Sequence, residues 1–360
     1  MSMVLLLALV ASLLLAEIYV RIFKEYITPA ILLTRSLEYE NSLFARYVFP
    51  LKEQRIAAPG IFINQKGHRG KDFSRKKGDG IVRLIVYGGS AAFDQNVPEG
   101  NDWPHAIEGL FHEKGLTHIE VINAGIPGNA TFDSLGRLFF EGHIFEPDYV
   151  LLYNAWNDIK YFSSDVTLLR SVKPRHKKGD PRTHYQGVVD QALCEFSQLY
   201  VRLRWRYYNW KYQIGKEGTI QSGDYTRKVT ELGLKQYRLN IEMFVDLARN
   251  IGAVPVLITQ ARLVGLENTE EEKDRIAYGY QRMNHPTLLS AFEETDEIIK
   301  QVSHSKHVHM IDASKRLSGK GEYFSDHVHL NHAGSDQLAI MISEFLLPLV
   351  NESASNLSVN

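Results

Sequence analysis

The sequence has 360 residues, of which 44% are hydrophobic and 23% are charged. This composition is typical of a globular protein with one large core or two modest ones, and it excludes a disordered chain. Lysine and arginine together number 41 against 42 acidic residues, so no global charge draws the chain to nucleic acid. The single cysteine, Cys194, excludes an internal disulfide and a CxxC metal or redox pair.

The N-terminal segment is almost purely apolar over residues 3–16, and residues 17–20 extend it to about the 20 residues that cross a bilayer. We therefore predict a transmembrane anchor over residues 1–22. A cleaved signal peptide fits less well, because no basic residue precedes the apolar run and no small-x-small site follows it. A buried core helix is the alternative, and Glu17 would then need a partner.

The orientation of this anchor is set by few charges. Arg21, Lys24 and Arg35 all follow the span. By the positive-inside rule they keep the globular part in the cytoplasm.

Residues 23–80 have mixed polarity and no clear helical period, and they end in a glycine-rich basic stretch over residues 66–78. We predict a connector in which these charges are solvated, as is usual for short charge runs. Contact with lipid phosphates or an anionic substrate is the alternative.

From residue 81 onward, short β-branched runs alternate with amphipathic stretches, which is typical of a parallel sheet covered by helices. The predicted strands are 82–87, 119–122, 149–153, 254–258 and 308–311. The predicted helices lie near 102–114, 131–143, 230–251, 280–302 and 333–349. We therefore predict a doubly wound, three-layer α/β/α domain with a five-stranded parallel sheet over residues 81–350, followed by a tail at 351–360.

Residues 160–230 interrupt the alternation with Pro174, Pro181 and a basic run, followed by an aromatic and arginine-rich segment at 199–210. We predict an insertion or cap here. The aromatic segment suits a membrane surface, and it equally suits a lid helix in which arginines stack on aromatic rings.

Three strand ends carry candidate site residues, because ligands bind beyond the carboxyl ends of strands in open α/β sheets. Ser90 follows two glycines after the first strand, where it is either an exposed nucleophile or a helix cap. A phosphate loop is excluded by the absence of GxxxxGK[ST] and GxGxxG. After the second and third strands, the backbone N–H of Gly125 and the amide of Asn157 are placed to converge on an oxyanion.

The segment after the fifth strand carries an acid–base pair. Asp326 precedes His329 by three residues, which lets the carboxylate orient the imidazole as a general base. A metal site with His327, His329, His332 and Asp326 is the alternative, although the spacing is not that of a zinc motif such as HExxH.

In order and placement, these elements resemble the SGNH (GDSL-like) hydrolases over about residues 60–349, and the resemblance implies their flavodoxin-like fold. It implies a serine nucleophile, an oxyanion hole of three donors and a DxxH pair. In this sequence the nucleophile corresponds to Ser90. The oxyanion donors correspond to Ser90, Gly125 and Asn157, and the DxxH pair corresponds to Asp326 and His329.

The chain departs from the family pattern at two places. The GDS opening is Gly88-Gly89-Ser90 here, and the GxND block is Ala155-Trp156-Asn157-Asp158. The aspartate of GDS is outside the triad, so activity is expected to survive its loss. The missing glycine affects the loop at Asn157.

The expected function is that of a serine esterase or deacylase acting on an acylated carbohydrate, a lipid or a small ester, without metal or organic cofactor. An O-acyltransferase using the same triad and a catalytically silent envelope-assembly module are the alternatives. Family members with an N-terminal anchor hold the catalytic domain outside the cytoplasm. The resemblance thus implies an extracytoplasmic domain, against the charge count.

Overall fold

The structure is a computed structural model that describes residues 3–24, 38–41, 48–51, 54–56, 60–162, 185–212 and 225–357. Its centre is a five-stranded sheet in the order β6-β5-β7-β8-β9, with every neighbouring pair parallel. The strands are β5 (Val82–Gly88), β6 (Ile119–Asn123), β7 (Tyr149–Tyr153), β8 (Val254–Ile258) and β9 (His309–Ile311). All residues of β5 and β7 are buried, as expected for strands covered on both faces. The predicted parallel sheet is confirmed.

Four short strands precede the sheet and form two antiparallel pairs. They are β1 (Glu38–Asn41), β2 (Val48–Leu51), β3 (Gln54–Ile56) and β4 (Ile61–Ile63). Beyond β4 the chain forms isolated bridges from Ile63 to Arg69 and from Arg69 to Asn123, at the end of β6. The second half of the predicted connector is therefore packed onto the domain.

Helices lie between and after the strands, as a doubly wound sheet requires. Up to β8 they are α1 (Met3–Phe23), α2 (Ser90–Phe93), α3 (Trp103–Glu113), α4 (Thr131–Glu141), α5 (Trp156–Phe162), α6 (Val188–Phe196), α7 (Gln198–Tyr212) and α8 (Glu231–Asn250). After β8 they are α9 (Glu270–Asp274), α10 (Tyr278–Gln281), α11 (His285–Lys306), α12 (Ala313–Leu317) and α13 (His332–Leu357). The five helices predicted from periodicity correspond to α3, α4, α8, α11 and α13.

The apolar core has two layers, one on each face of the sheet, because successive strand residues point to opposite faces. Leu84 and Val86 of β5 belong to the layer that contains α3 and α13. Ile85 and Tyr87 belong to the layer that contains α4 and α8. The result is the predicted three-layer arrangement. The carboxyl ends of the strands lie at the edge of both apolar layers and are available for polar groups.

The N-terminal helix α1 forms as predicted, and its large apolar side chains are mostly exposed, including Leu5, Leu15 and Ile22. Among the described residues, length and composition single out one candidate membrane span, His332–Asn351, and half of it is buried. That span lies in α13, whose Leu338 and Ile342 are in the core. The same criterion does not single out α1, so its insertion into a bilayer stays a prediction.

The predicted insertion over residues 160–230 is described in part. Residues 163–184 and 213–224, with Pro174 and Pro181, lie outside the described residues. The described remainder contains the end of α5 and the hairpin of α6 and α7. It ends just before α8, which begins at residue 231. The arginine-rich aromatic segment is thus helical.

Candidate active site

Three of the predicted site residues form one hydrogen-bonded chain at the carboxyl end of the sheet. The hydroxyl of Ser90 lies 2.6 Å from His329 Nε2. On the other side of the ring, His329 Nδ1 lies 2.7 Å from Asp326 Oδ2. Because a carboxylate only accepts hydrogen bonds, Nδ1 carries the proton and donates, and Nε2 accepts from the serine hydroxyl. This arrangement can remove the proton from Ser90 as its oxygen attacks.

Ser90 is the first residue of α2, immediately beyond β5. The turn between them depends on Gly88, where a Cβ would lie 2.4 Å from the backbone oxygen of Tyr153. Such a contact with backbone cannot be relieved by moving a side chain. The absence of a side chain at Gly88 therefore lets the turn between β5 and Ser90 pack against the end of β7.

The next glycine explains the departure from the GDS pattern. A Cβ at Gly89 would lie 2.7 Å from the carbonyl oxygen of Asn129 and 2.8 Å from Asn157 Nδ2. The N–H of Gly89 donates to Asn154 Oδ1 at 2.8 Å, and Asn154 Nδ2 in turn donates to Ser134. The buried Asn154 side chain thus fixes the backbone just before the serine, and no sequence motif indicates this role.

Asp326 is held by its own loop. Its Oδ1 accepts hydrogen bonds from the backbone N–H groups of Val328 at 3.1 Å and His329 at 3.0 Å. Burial acts to raise the pKa of Asp326, but the hydrogen bond and charge of His329 outweigh it and hold the pKa well below its usual range. Asp326 is therefore ionised and fit to orient the imidazole.

The metal interpretation of this segment is disfavoured by the same contacts. Asp326, His327 and His329 do place ligand atoms close together. However, both ring nitrogens of His329 are engaged, one with Ser90 and one with Asp326. His332 is exposed at the start of α13 and pairs with Asp336 at 3.6 Å, outside this group. A metal would have to displace the serine or the aspartate.

His327 lies against an aromatic wall beside the acid–base pair. Its ring centroid is 4.2 Å from that of Trp156, which also stacks on Tyr280. Burial lowers the pKa of His327 to about 4, against the raising effect of Asp326. The His327 ring is therefore neutral near pH 7. His329 is the imidazole that is hydrogen-bonded to the charged Asp326.

The assignment of Gly125 to the oxyanion hole needs correction. Its N–H donates to Asn123 Oδ1 at 3.0 Å. Gly125 is buried against α2, because a Cβ there would lie 2.4 Å from the backbone nitrogen of Phe93. Its glycine is thus required for close packing, and its N–H is committed within the loop.

Gly128 lies in the same loop, at an exposed turn. The N–H of Asn129 bonds the carbonyl of Ile126 at 3.1 Å, and Gly128 has φ +88°, which together describe a type II turn with Pro127 and Gly128 at its centre. Gly128 is exposed, and within the described part of the chain its N–H has no hydrogen-bond acceptor. The Pro-Gly pair in the sequence was the signal for this turn.

Asn157 lies beside the turn that precedes Ser90. Its Nδ2 donates to the carbonyl of Asn129 at 2.9 Å and lies next to Gly89. This bond uses one of the two amide hydrogens, and the second remains for a ligand oxygen. Ala155, in place of the family glycine, is buried at 1% exposure, and Trp156 beside it packs into the core.

Asp158 joins the start of α5, where Asn157 lies, to the start of α4. Its carboxyl group accepts from the Thr131 N–H at 2.9 Å and bonds the Thr131 hydroxyl at 3.0 Å. Complete burial raises the pKa of Asp158 to about 8, in spite of these hydrogen bonds. The group is therefore protonated near pH 7 and acts as a neutral bridge.

Arg69 packs against the end of α2. The prediction that the charges of this stretch are solvated was wrong for this residue. Its guanidinium is buried and donates to the carbonyls of Phe93 at 2.6 Å, Asp94 at 2.7 Å and Val97 at 2.6 Å. Asp102 lies 3.3 Å from its Nε. Carbonyls at the end of a short helix have no intrahelical partners, so a buried arginine there satisfies three acceptors at once.

No protein-family model and no curated protein matches the chain. Solved structures with a similar fold include an acetyl xylan esterase, AlAXEase (15% identity, TM-score 0.44, 74% of this chain and 100% of that one). A lipase/acylhydrolase from Enterococcus faecalis is 17% identical, with TM-score 0.44, over 74% of this chain and 95% of that one. A GDSL-like lipase from Bacteroides thetaiotaomicron is 11% identical, with TM-score 0.42, over 74% and 88%. At these values the likeness carries no argument about activity.

Proposed function

We propose that this protein is a serine hydrolase that cleaves carboxylic esters with Ser90 as nucleophile, His329 as general base and Asp326 as the group that orients the base. The observation that carries the proposal is the continuous chain of contacts from Ser90 through His329 to Asp326, at 2.6 and 2.7 Å. Ser90 is 239 positions from His329 in sequence, and fold maintenance alone does not require the two to meet.

The reaction proceeds in two steps on this geometry. The Ser90 oxygen attacks the ester carbonyl carbon while its proton passes to His329 Nε2, and the departing alcohol takes that proton as the acyl–oxygen bond breaks. Water then attacks the acyl-serine carbonyl while the same nitrogen takes its proton, and that proton returns to the Ser90 oxygen as the acyl–serine bond breaks and the acid is released. Asp326 stays ionised throughout and stabilises the imidazolium.

The oxyanion of each tetrahedral intermediate is stabilised by three donors in this proposal. They are the backbone N–H of Ser90, the side-chain amide of Asn157 and the backbone N–H of Gly128, which takes the place expected for Gly125. The proximity of Asn157 Nδ2 and the Asn129 carbonyl to Gly89 supports this placement, because it brings the Gly128 turn against the nucleophile turn.

The substrate class is an acylated carbohydrate, a lipid or a small ester. Transfer of the acyl group to a sugar hydroxyl is the second candidate, since the acyl-serine is common to both reactions and only the exclusion of water separates them. A catalytically silent module is disfavoured by the intact contacts around Ser90.

The full-length protein in detergent, incubated with p-nitrophenyl acetate and longer acyl esters, tests the proposal. Ser90→Ala and His329→Ala should abolish release of p-nitrophenol. His332→Ala is the matched control, because this exposed histidine lies outside the site and its loss should leave turnover intact.

Labelling with a fluorophosphonate, followed by mass spectrometry, identifies the nucleophile independently of the substrate. Modification of Ser90 in the wild type and not in His329→Ala supports the mechanism. A wild type that is folded, inert to esters and unlabelled refutes it. Formation of acyl-serine that turns over only when a sugar acceptor is added would select the transferase.

We also propose that α1 anchors the protein in a membrane. Its exposed apolar side chains, among them Leu5, Leu15 and Ile22, would otherwise lie in water along a helix of 21 residues. Flotation of the full chain with lipid vesicles tests the anchor. Following the family resemblance, we place the catalytic domain outside the cytoplasm, which protease access in intact cells tests.

A further inference from the structure

The helix α7 presents an apolar stripe that the described part of the chain leaves uncovered. Leu203, Tyr207 and Trp210 are exposed, with Trp210 at 78%. Their spacing of i, i+4 and i+7 puts them on one face of the helix. Away from the stripe, Val201 and Arg204 are buried against the protein, and Trp205 is exposed at 36%.

The orientation of this stripe is fixed by the hairpin of α6 and α7. Arg204 pairs with Asp190 of α6 through two bonds, at 2.7 Å from Nε and 2.9 Å from Nη2. The Tyr200 hydroxyl also donates to Asp190, at 2.7 Å. These partly buried contacts hold the two helices together and keep the stripe facing outward.

The beginning of α7 is bound to the apolar helix α1. Glu17 of α1 accepts hydrogen bonds from the backbone N–H groups of Gln198 at 2.9 Å and Leu199 at 2.8 Å. A carboxylate at a helix N-terminus satisfies orphan donors and complements the helix dipole. Arg21, one turn further along α1, donates to the carbonyl of Phe196. Glu17 therefore has its partner in α7.

These bonds set the depth of α7 relative to a bilayer. Glu17 lies six residues before Phe23, the last residue of α1, which is about 9 Å along the axis. If α1 spans a hydrocarbon core of about 30 Å and ends at its surface, Glu17 and the start of α7 lie about 9 Å below that surface, within the depth of about 5–10 Å to which interfacial helices insert. Tyrosine and tryptophan are the residues that favour this zone.

The charges beside the stripe match such a surface. Arg206 and Lys211 are exposed and, at 3.6 residues per turn, lie on either side of the stripe. Phosphate headgroups would meet these cations while the apolar side chains reach the acyl chains. Exposed Phe196 continues the apolar surface at the junction of α6 and α7.

We propose that α7 lies in the interfacial layer of the bilayer that α1 crosses, with Leu203, Tyr207 and Trp210 toward the acyl chains. This inference rests on the proposed anchor and is independent of the hydrolase mechanism. A single spanning helix would let the catalytic domain rotate freely. A second contact along α7 fixes the face that the domain turns toward the lipid.

Tryptophan emission gives a direct test, because the chain has four tryptophans and two of them, Trp103 and Trp156, are in the core. The full chain is reconstituted into vesicles of phosphatidylcholine and phosphatidylglycerol, with or without bromine on the acyl chains. Trp210→Phe should lose most of the quenching by brominated lipid. Trp205→Phe is the matched control, because residue 205 lies opposite the stripe and should leave quenching largely unchanged.

Each outcome decides a separate question. Quenching that depends on Trp210 supports an interfacial α7. Vesicle-bound protein whose quenching is absent, or is unchanged in Trp210→Phe, overturns the inference while leaving the anchor intact. Protein that does not float with vesicles overturns the anchor and this inference together. Ester turnover, measured on the same samples, reports on the hydrolase proposal alone.

Discussion

Truncation of Asn157 tests its proposed contribution as one of three oxyanion donors. Asn157 Nδ2 lies against the nucleophile turn and uses one hydrogen for the Asn129 carbonyl. Asn157→Ala removes the second hydrogen, which acts only on the charge that develops in the transition state. Loss of one such donor raises the barrier by about 2.7–4 kcal/mol, so kcat should fall roughly 10²–10³-fold while KM changes little.

The same substitution costs the fold far less. It leaves the Asn129 carbonyl without one hydrogen bond, which destabilises the protein by about 1 kcal/mol. Steady-state kinetics and thermal unfolding therefore separate the two effects. Asn240→Ala, at an equally buried asparagine in α8, should leave kcat unchanged. A fall in kcat of less than about 10-fold in folded Asn157→Ala would show that the oxyanion is stabilised elsewhere.

Three further substitutions probe the groups around the nucleophile. Asp326→Asn should lower kcat by roughly 10⁴-fold, because an amide stabilises the wrong tautomer of His329; unchanged turnover in stopped-time assays would contradict the assigned role. Gly88→Ala should abolish activity and lower the melting temperature, since its Cβ meets the Tyr153 carbonyl oxygen at 2.4 Å; wild-type turnover would show that the turn can shift. Burial raises the pKa of Asp158 to about 8 from 3.8, so the unfolded chain loses this proton first and the free energy of unfolding falls as pH rises from about 4 to 8. Urea unfolding at pH 5 and pH 8 should show a smaller fall in Asp158→Asn, and an identical fall in both proteins would place the titration elsewhere.

The sheet and its major helices could be predicted from periodicity because each strand is a short apolar run buried on both faces. Ser90, Asp326 and His329 could be singled out as candidate site residues because they follow strands at one end of the sheet, where polar groups converge. Hydrophobic pattern and strand position are local properties of the sequence, so they can be recognised without knowledge of tertiary contacts.

The remaining features depend on contacts between distant segments. Arg69 belongs to a stretch that resembles a solvated basic loop, and only the folded chain shows that its guanidinium donates to three backbone carbonyls at and beyond the end of α2. Gly125 and Gly128 are equally plausible oxyanion donors in sequence. They differ because Asn123 occupies the N–H of Gly125, whereas Gly128 is exposed at the centre of a turn.

The contact between Ser90 and His329 joins residues 239 positions apart, and this separation affects how the protein acquires activity. Contacts of such sequence separation form late, because a long loop must close before they stabilise the chain. The sheet that supports them is parallel throughout, which adds further distant pairings. Helix content can therefore be regained during refolding before Ser90 and His329 meet, and a nascent chain cannot form this contact until residue 329 has been synthesised.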